Sequence, residues 1–134
     1  MEFSIEPYTG SGEILLGMTS QQIEEILSAK PRKFKKFRDD EFETDAFDMF
    51  YVYYKSPGIC EAIEFFKPAV VTFSGVNLMQ KSYDELKRLF LSLDEDTECD
   101  DSGLTSYKYG IGIYAPLAED EPLEPTEGVI IFEK

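Results

Sequence analysis

A chain of 134 residues with 43% hydrophobic and 14% aromatic residues can bury a core of its own, which excludes a disordered protein. It carries 27 acidic and 13 basic residues, a net charge of −14, and no histidine. This charge disfavours nucleic acid and membranes as partners, and the absence of imidazole excludes histidine-based triads and metal sites. We therefore expect a single domain over residues 1–134.

The N-terminal segment predicts a strand and a cytoplasmic protein. Phe3 and Ile5 alternate with polar residues, which favours a short first strand. The segment lacks the basic and apolar regions of a signal peptide, and no apolar run in the chain reaches the roughly 18 residues of a membrane span. Cys60 and Cys99 form no motif, which is typical of free thiols in a reducing compartment.

The first helix is predicted over residues 19–29. Thr19 and Gln22 have the spacing of a capping box, and Pro31 ends the helix. Its buried stripe is expected to consist of Ile23, Ile26 and Leu27.

Basic residues concentrate between Lys30 and Arg38, where Phe34 and Phe37 interrupt them. Basic and aromatic residues in alternation can indicate nucleic-acid binding. Here acidic residues follow at once over 39–48 and cancel the local field, so an exposed edge strand and loop is the favoured interpretation.

Three runs rich in aromatic and β-branched residues come next, at 47–54, 59–66 and 69–75. Turn residues separate them, with Pro57 in the first break and Pro68 in the second. The pattern predicts a three-stranded antiparallel meander.

A second helix is predicted over residues 83–93, with Ser82 and Glu85 as its capping box. Thr19 aligns with Ser82, and Gln22 with Glu85, at one constant offset. Strand-like sequence follows both helices, so two tandem helix-plus-sheet units are one hypothesis, and two unrelated capped helices are the other.

The last third of the chain is read as an acidic turn, strands and a loop. A calcium loop that starts at Asp94 needs glycine at its sixth position and glutamate at its twelfth, where this chain has Cys99 and Thr105, so no metal site is expected over 94–101. Residues 115–126 combine prolines and acids and predict a surface loop. The apolar run 128–132 predicts a central strand.

The segment Leu16-Gly17-Met18-Thr19, with its helix and Pro31, resembles the helix start shared by β-lactamase-inhibitory proteins and the small lipoproteins of the outer-membrane barrel-assembly machinery. Ala29 stands where that pattern has a second glycine, and no lipoprotein signal is present. The resemblance implies a protein-binding scaffold that uses an exposed sheet face.

No residue pattern indicates catalysis. Cys60 lies in an apolar strand without a basic neighbour, so its thiol is expected to stay protonated. Strand alternation places Glu61 and Glu64 on opposite faces, where they cannot act as a carboxylate pair. We therefore expect a protein that is not an enzyme and has no cofactor.

The sequence as a whole predicts an α+β fold, with two helices packed on antiparallel β-sheet. The leading functional hypothesis is an acidic protein-binding module, in its sharpest form an immunity protein that neutralises a basic toxin. The alternative is a small-ligand-binding or regulatory domain with an apolar pocket between helix and sheet, lined by residues such as Phe65, Phe73 and Tyr114.

The partner-binding surface is predicted from tyrosines and nearby acids. Alternation places Phe50, Val52 and Tyr54 towards the core, so Tyr51 and Tyr53 face outward. The candidate partner-binding residues are Tyr51, Tyr53, Tyr107, Tyr109, Asp94, Asp96, Glu98, Asp100 and Asp101.

Overall fold

The computed structural model describes residues 2–116, 120 and 123–134, so the predicted loop at 115–126 lies partly outside the described residues. The strands of the first half are β1 (Glu2–Glu6), β2 (Gly10–Ser11), β3 (Ile14–Leu15), β4 (Arg32–Phe34), β5 (Thr44–Ala46), β6 (Phe50–Lys55) and β7 (Ile59–Phe66). Those of the second half are β8 (Val70–Phe73), β9 (Val76–Asn77), β10 (Glu98–Asp100), β11 (Gly103–Ser106), β12 (Ile111–Tyr114) and β13 (Gly128–Phe132). The helices are α1 (Ser20–Leu27) and α2 (Tyr83–Leu93), which confirms the α+β class.

The larger sheet has eight strands in the order β10-β11-β12-β13-β7-β6-β5-β4, and every neighbouring pair is antiparallel. Helix α1 precedes one ribbon of four strands, β4 to β7, and α2 precedes the other, β10 to β13. The ribbons meet where β7 pairs with β13. Strand β13 is central and β4 is an edge, as the sequence predicts. The tandem repeat itself stays a prediction.

The smaller sheet has the order β3-β2-β1-β8-β9, and it corrects the predicted three-stranded meander. Strands β6 and β7 form the predicted hairpin, but β8 leaves it and pairs in parallel with β1. The reason is that β13 occupies the free edge of β7. Beyond the break at Pro68, β8 therefore takes β1 as its neighbour.

The core lies between the two sheets and α2. Phe3 of β1 packs against Phe65 of β7 and Phe50 of β6, with ring centroids 4.8 and 5.3 Å apart. Phe73 of β8 stacks on Phe90 of α2 at 5.9 Å with an interplanar angle of 8°. Aromatic contacts thus join all three layers, and we call the side of the eight-stranded sheet that faces this core its inner face.

Both helices begin as the sequence predicts, because Thr19 with Gln22 and Ser82 with Glu85 form complete capping boxes. They differ in burial. Helix α2 buries Tyr83, Leu86 and Phe90, whereas α1 buries Ile23 alone. The predicted stripe of α1 is therefore too wide: Ile26 and Leu27 are only half-buried, because α1 makes no extensive contact with any one strand or helix of the described residues.

Candidate functional site

The outer face of the eight-stranded sheet, opposite the core, is the candidate site. Along β6, Phe50 and Val52 are buried on the inner face, while Tyr51 and Tyr53 point the other way and stay half-buried. Residues opposite each other on neighbouring strands share a face, so the register identifies the remaining outer positions. This orientation of Tyr51 and Tyr53 is the one that strand alternation predicts.

Two rows of cross-strand neighbours cross this face. The first consists of Tyr51, Glu64, Ile130, Gly112, Thr105 and Glu98. The second consists of Phe66, Gly128, Tyr114, Gly103 and Asp100. Gly103 and Gly128 lie on either side of Tyr114, and Gly112 lies beside Ile130, so the rows run from aromatic side chains at β6 and β7 to acids at β10. Five strand spacings of ~4.8 Å put those two ends about 24 Å apart.

Aromatic and polar contacts hold the tyrosines of β6 in place. Tyr51 packs edge-on against Phe66 and Phe34, with centroids 4.8 and 5.5 Å apart. The Tyr53 hydroxyl donates a hydrogen bond to the Glu64 carboxylate. Burial, followed by that hydrogen bond, raises the pKa of Tyr53 well above its usual value, so the hydroxyl remains a donor.

Four further predicted residues lie on or beside this face. Glu98 and Asp100 are exposed at its β10 end, and Asp101 is exposed in the turn that follows. Tyr107 is 60% exposed at the border of the face, where its ring packs against Phe132 at 5.9 Å. The structure thus brings Tyr51, Tyr53, Tyr107, Glu98, Asp100 and Asp101 to one side of one sheet.

The other predicted residues lie elsewhere. Asp94 is 7% exposed and accepts hydrogen bonds from the Ser106 hydroxyl at 2.8 Å and the Asp96 backbone at 3.0 Å. The Ser106 hydrogen bond holds the pKa of Asp94 below its usual value. Tyr109 is half-buried, and its ring contacts Phe73 of the core at 5.2 Å. Asp96 is exposed in the turn after α2, away from the two rows.

Sequence reasoning missed Glu64 and Phe66 as outer-face residues and placed Tyr114 with the wrong neighbours. Tyr114 is 52% exposed on the outer face, whereas Phe65 and Phe73 belong to the core, so the three do not line one pocket. The alternation within β7 could have identified Glu64 and Phe66. The position of Tyr114 depends on its pairing with Gly103 and Gly128, which no local pattern reveals.

A second polar cluster surrounds Asp45, which is 1% exposed and lies on the inner face of β5, opposite Val52. Its carboxylate accepts hydrogen bonds from Lys33 at 2.6 Å, Ser20 at 2.5 Å and Tyr54 at 2.6 Å. Lys33 also lies 3.0 Å from the Ser20 hydroxyl, the pairing that a serine–lysine nucleophile would need. The three donors to the Asp45 carboxylate come from α1, β4 and β6, so the cluster fits a link between α1 and the sheet better than a catalytic dyad.

The thiol of Cys60 is fully buried, and burial raises its pKa to about 12. Within residues 2–116, 120 and 123–134, no group of histidine, cysteine or acidic side chains is placed to hold a metal ion. In the same part of the chain, no helix has the length and apolarity needed to cross a membrane.

Comparison with known proteins found no matching family model, no matching curated protein and no matching solved structure. The resemblance to β-lactamase-inhibitory proteins and barrel-assembly lipoproteins therefore stays a prediction.

Proposed function

We propose that this chain is a non-enzymatic, cytoplasmic protein-binding module that binds a basic protein on the outer face of its eight-stranded sheet. The observation that carries the proposal is the composition of that face. Half-buried or exposed aromatic side chains at Tyr51, Phe66 and Tyr114 share it with the acids Glu64 and Asp100. Tyrosine and phenylalanine supply contact area at low entropic cost, and the acids select a cationic partner.

The sharpest form of this proposal is an immunity protein that covers the cationic active site of a basic toxin. A net charge of −14 supports it, because opposite charge steers the encounter and speeds association at low salt. A small-ligand-binding role is the second candidate. The observation in its favour is a pocket at the edge of the outer face, although it does not lie between helix and sheet as the sequence suggested.

The test is a pull-down from the native host with the folded protein and two matched variants. Tyr51→Ala combined with Tyr114→Ala removes two outer-face rings, and Leu91→Ala removes a side chain that is 38% exposed on α2. We expect the wild type and Leu91→Ala to recover the same basic protein and the double variant to lose it. Affinity should fall steeply with salt, because exposed charges are screened beyond about 8 Å at physiological ionic strength.

Circular dichroism establishes that each variant is folded before binding is compared. An acidic partner, or binding that is indifferent both to salt and to the loss of Tyr51 and Tyr114, would contradict the proposal.

A further inference from the structure

A pocket of about 450 Å³ lies where the segment between β4 and β5 crosses the β6 side of the outer face. Its lining includes the aromatic residues Phe37, Phe42 and Tyr53 and the acidic residues Asp40, Glu41 and Glu61. Aromatic rings and carboxylates in one pocket favour an organic cation, because ring faces and carboxylates both attract positive charge.

A β-bulge brings Glu61 into this pocket. Strand alternation predicts Glu61 and Glu64 on opposite faces, but the register of β6 against β7 jumps between Tyr53 and Tyr54. Tyr53 lies opposite Ala62 and Tyr54 opposite Cys60, which leaves Glu61 as the extra residue. Its side chain lines the pocket together with Ala62, and within the described residues its carboxylate forms no ion pair.

A cation of the chain itself already occupies the aromatic part of the pocket. The Lys36 ammonium lies 4.8 Å from the ring centroid of Tyr53 and 5.8 Å from that of Phe37. Its only described polar contact is a long one, 3.4 Å to the Tyr53 hydroxyl. Lys55, the other basic residue of the lining, is engaged with Glu133 at 2.5 Å. The Lys36 ammonium therefore shows where a cation fits in the pocket. Because the Lys36 side chain is exposed and flexible, it can move away when another cation binds.

We propose that this pocket binds an arginine side chain of the basic partner, and that Lys36 is the exchangeable cation which the arginine replaces. The assignment rests on the proposed function. A guanidinium is planar, stacks on aromatic faces and pairs with a carboxylate through two parallel hydrogen bonds, so it engages Tyr53 and Glu61 together. The Lys36 ammonium cannot form this bidentate pair, and it makes no ion pair with the Glu61 carboxylate.

The proposal is tested on the intact chain with N-acetyl-arginine amide, and with the uncharged isostere N-acetyl-citrulline amide as control. Binding is followed by NMR shifts of the backbone amides of Ala62 and Ile130, two residues of the pocket lining. We expect shifts with the arginine probe and none with the citrulline probe. Lys36→Met should tighten arginine binding about two- to fivefold, the worth of one exposed cation–π contact. Glu61→Gln should weaken it by at least as much.

Lys35→Met is the matched control, because it changes the net charge equally at an exposed residue that does not line the pocket. Equal tightening by Lys35→Met and Lys36→Met would mean a general charge effect and would overturn the pocket. Equal binding of the two probes would overturn it as well.

The arginine pocket and the proposed function can fail independently of each other. A basic partner recovered through Tyr51 and Tyr114, with an affinity unchanged by Glu61→Gln, would overturn the pocket while the proposed function stands. Arginine binding at the pocket in a chain that recovers no basic protein would contradict the proposed function instead.

Discussion

Lys33 and Asp45 form a 2.6 Å ion pair between neighbouring strands β4 and β5, and the Asp45 side of the pair is buried. Because Ser20 of α1 donates to the same carboxylate, this pair also joins the first helix to the sheet edge. We expect Asp45→Asn to lower the free energy of unfolding by roughly 1.5–3 kcal/mol, the worth of hydrogen bonds to a buried charged acceptor. Urea unfolding measures the loss.

The controls for this cluster are Tyr54→Phe and Lys33→Met. Tyr54→Phe removes one donor and should cost about 1 kcal/mol. Lys33→Met should cost less than Asp45→Asn, because the Lys33 side chain is 42% exposed and water screens its charge. Unfolding of Asp45→Asn at the wild-type urea concentration would show that the cluster does not stabilise the fold.

Removing a helix cap should have a measurable cost. Thr19 accepts a hydrogen bond from the Gln22 backbone at 3.2 Å, and Thr19→Ala is expected to lower stability by about 1 kcal/mol. Ser82→Ala removes the equivalent cap of α2 and serves as the comparison. A melting temperature of Thr19→Ala equal to that of the wild type would contradict the expected contribution of the cap.

The narrow buried stripe of α1 leads to a contrast between two isoleucines. Ile23 is fully buried, so Ile23→Ala should cost roughly 2–5 kcal/mol. Ile26 is half-buried, and Ile26→Ala should cost less than half as much. The two variants carry the same chemical change on one helix, so chemical denaturation compares burial directly. Equal losses would place Ile26 in the core.

A pH effect is expected at Asp94. Its folded-state pKa is depressed, so its ionised form stabilises the fold above the unfolded pKa near 3.9, and that contribution is lost as pH falls through the folded pKa. Ser106→Ala removes the main cause and should raise the pKa of Asp94 towards its usual value. The stability difference between wild type and Ser106→Ala should then be larger at pH 7 than at pH 3.

Carboxyl NMR titration measures that pKa directly. Ser102→Ala is the control, because Ser102 contacts Asp100 and should leave the titration of Asp94 unchanged. An unmoved Asp94 titration in Ser106→Ala would remove the assigned cause.

Local patterns predicted the parts of the fold that depend on neighbours in sequence. Both capping boxes, the β6–β7 hairpin and the outward orientation of Tyr51 and Tyr53 follow from spacing alone. The partner of β8 did not, because its pairing with β1 depends on β13 having taken the edge of β7.

The same limit applies to the candidate site. Tyr51 and Glu98 lie in one row only because four strands pair between them. Glu61 lines the pocket because of a β-bulge that no sequence pattern predicts. The acid-rich segment predicts an exposed Asp94, but Asp94 is buried because its carboxylate accepts a hydrogen bond from Ser106 of β11.

The parallel pairing of β1 with β8 sets an order of events during synthesis. Residues 2–4 of β1 lie opposite residues 70–72 of β8, so this part of β1 has no partner strand until the chain through Phe73 has left the ribosome. The β6–β7 hairpin is closed by a short turn and can form before β1 pairs with β8, because closing a small loop costs less entropy than closing a large one. During that interval Phe3, which lies opposite Val71 of β8, remains available to other nascent chains or to a chaperone.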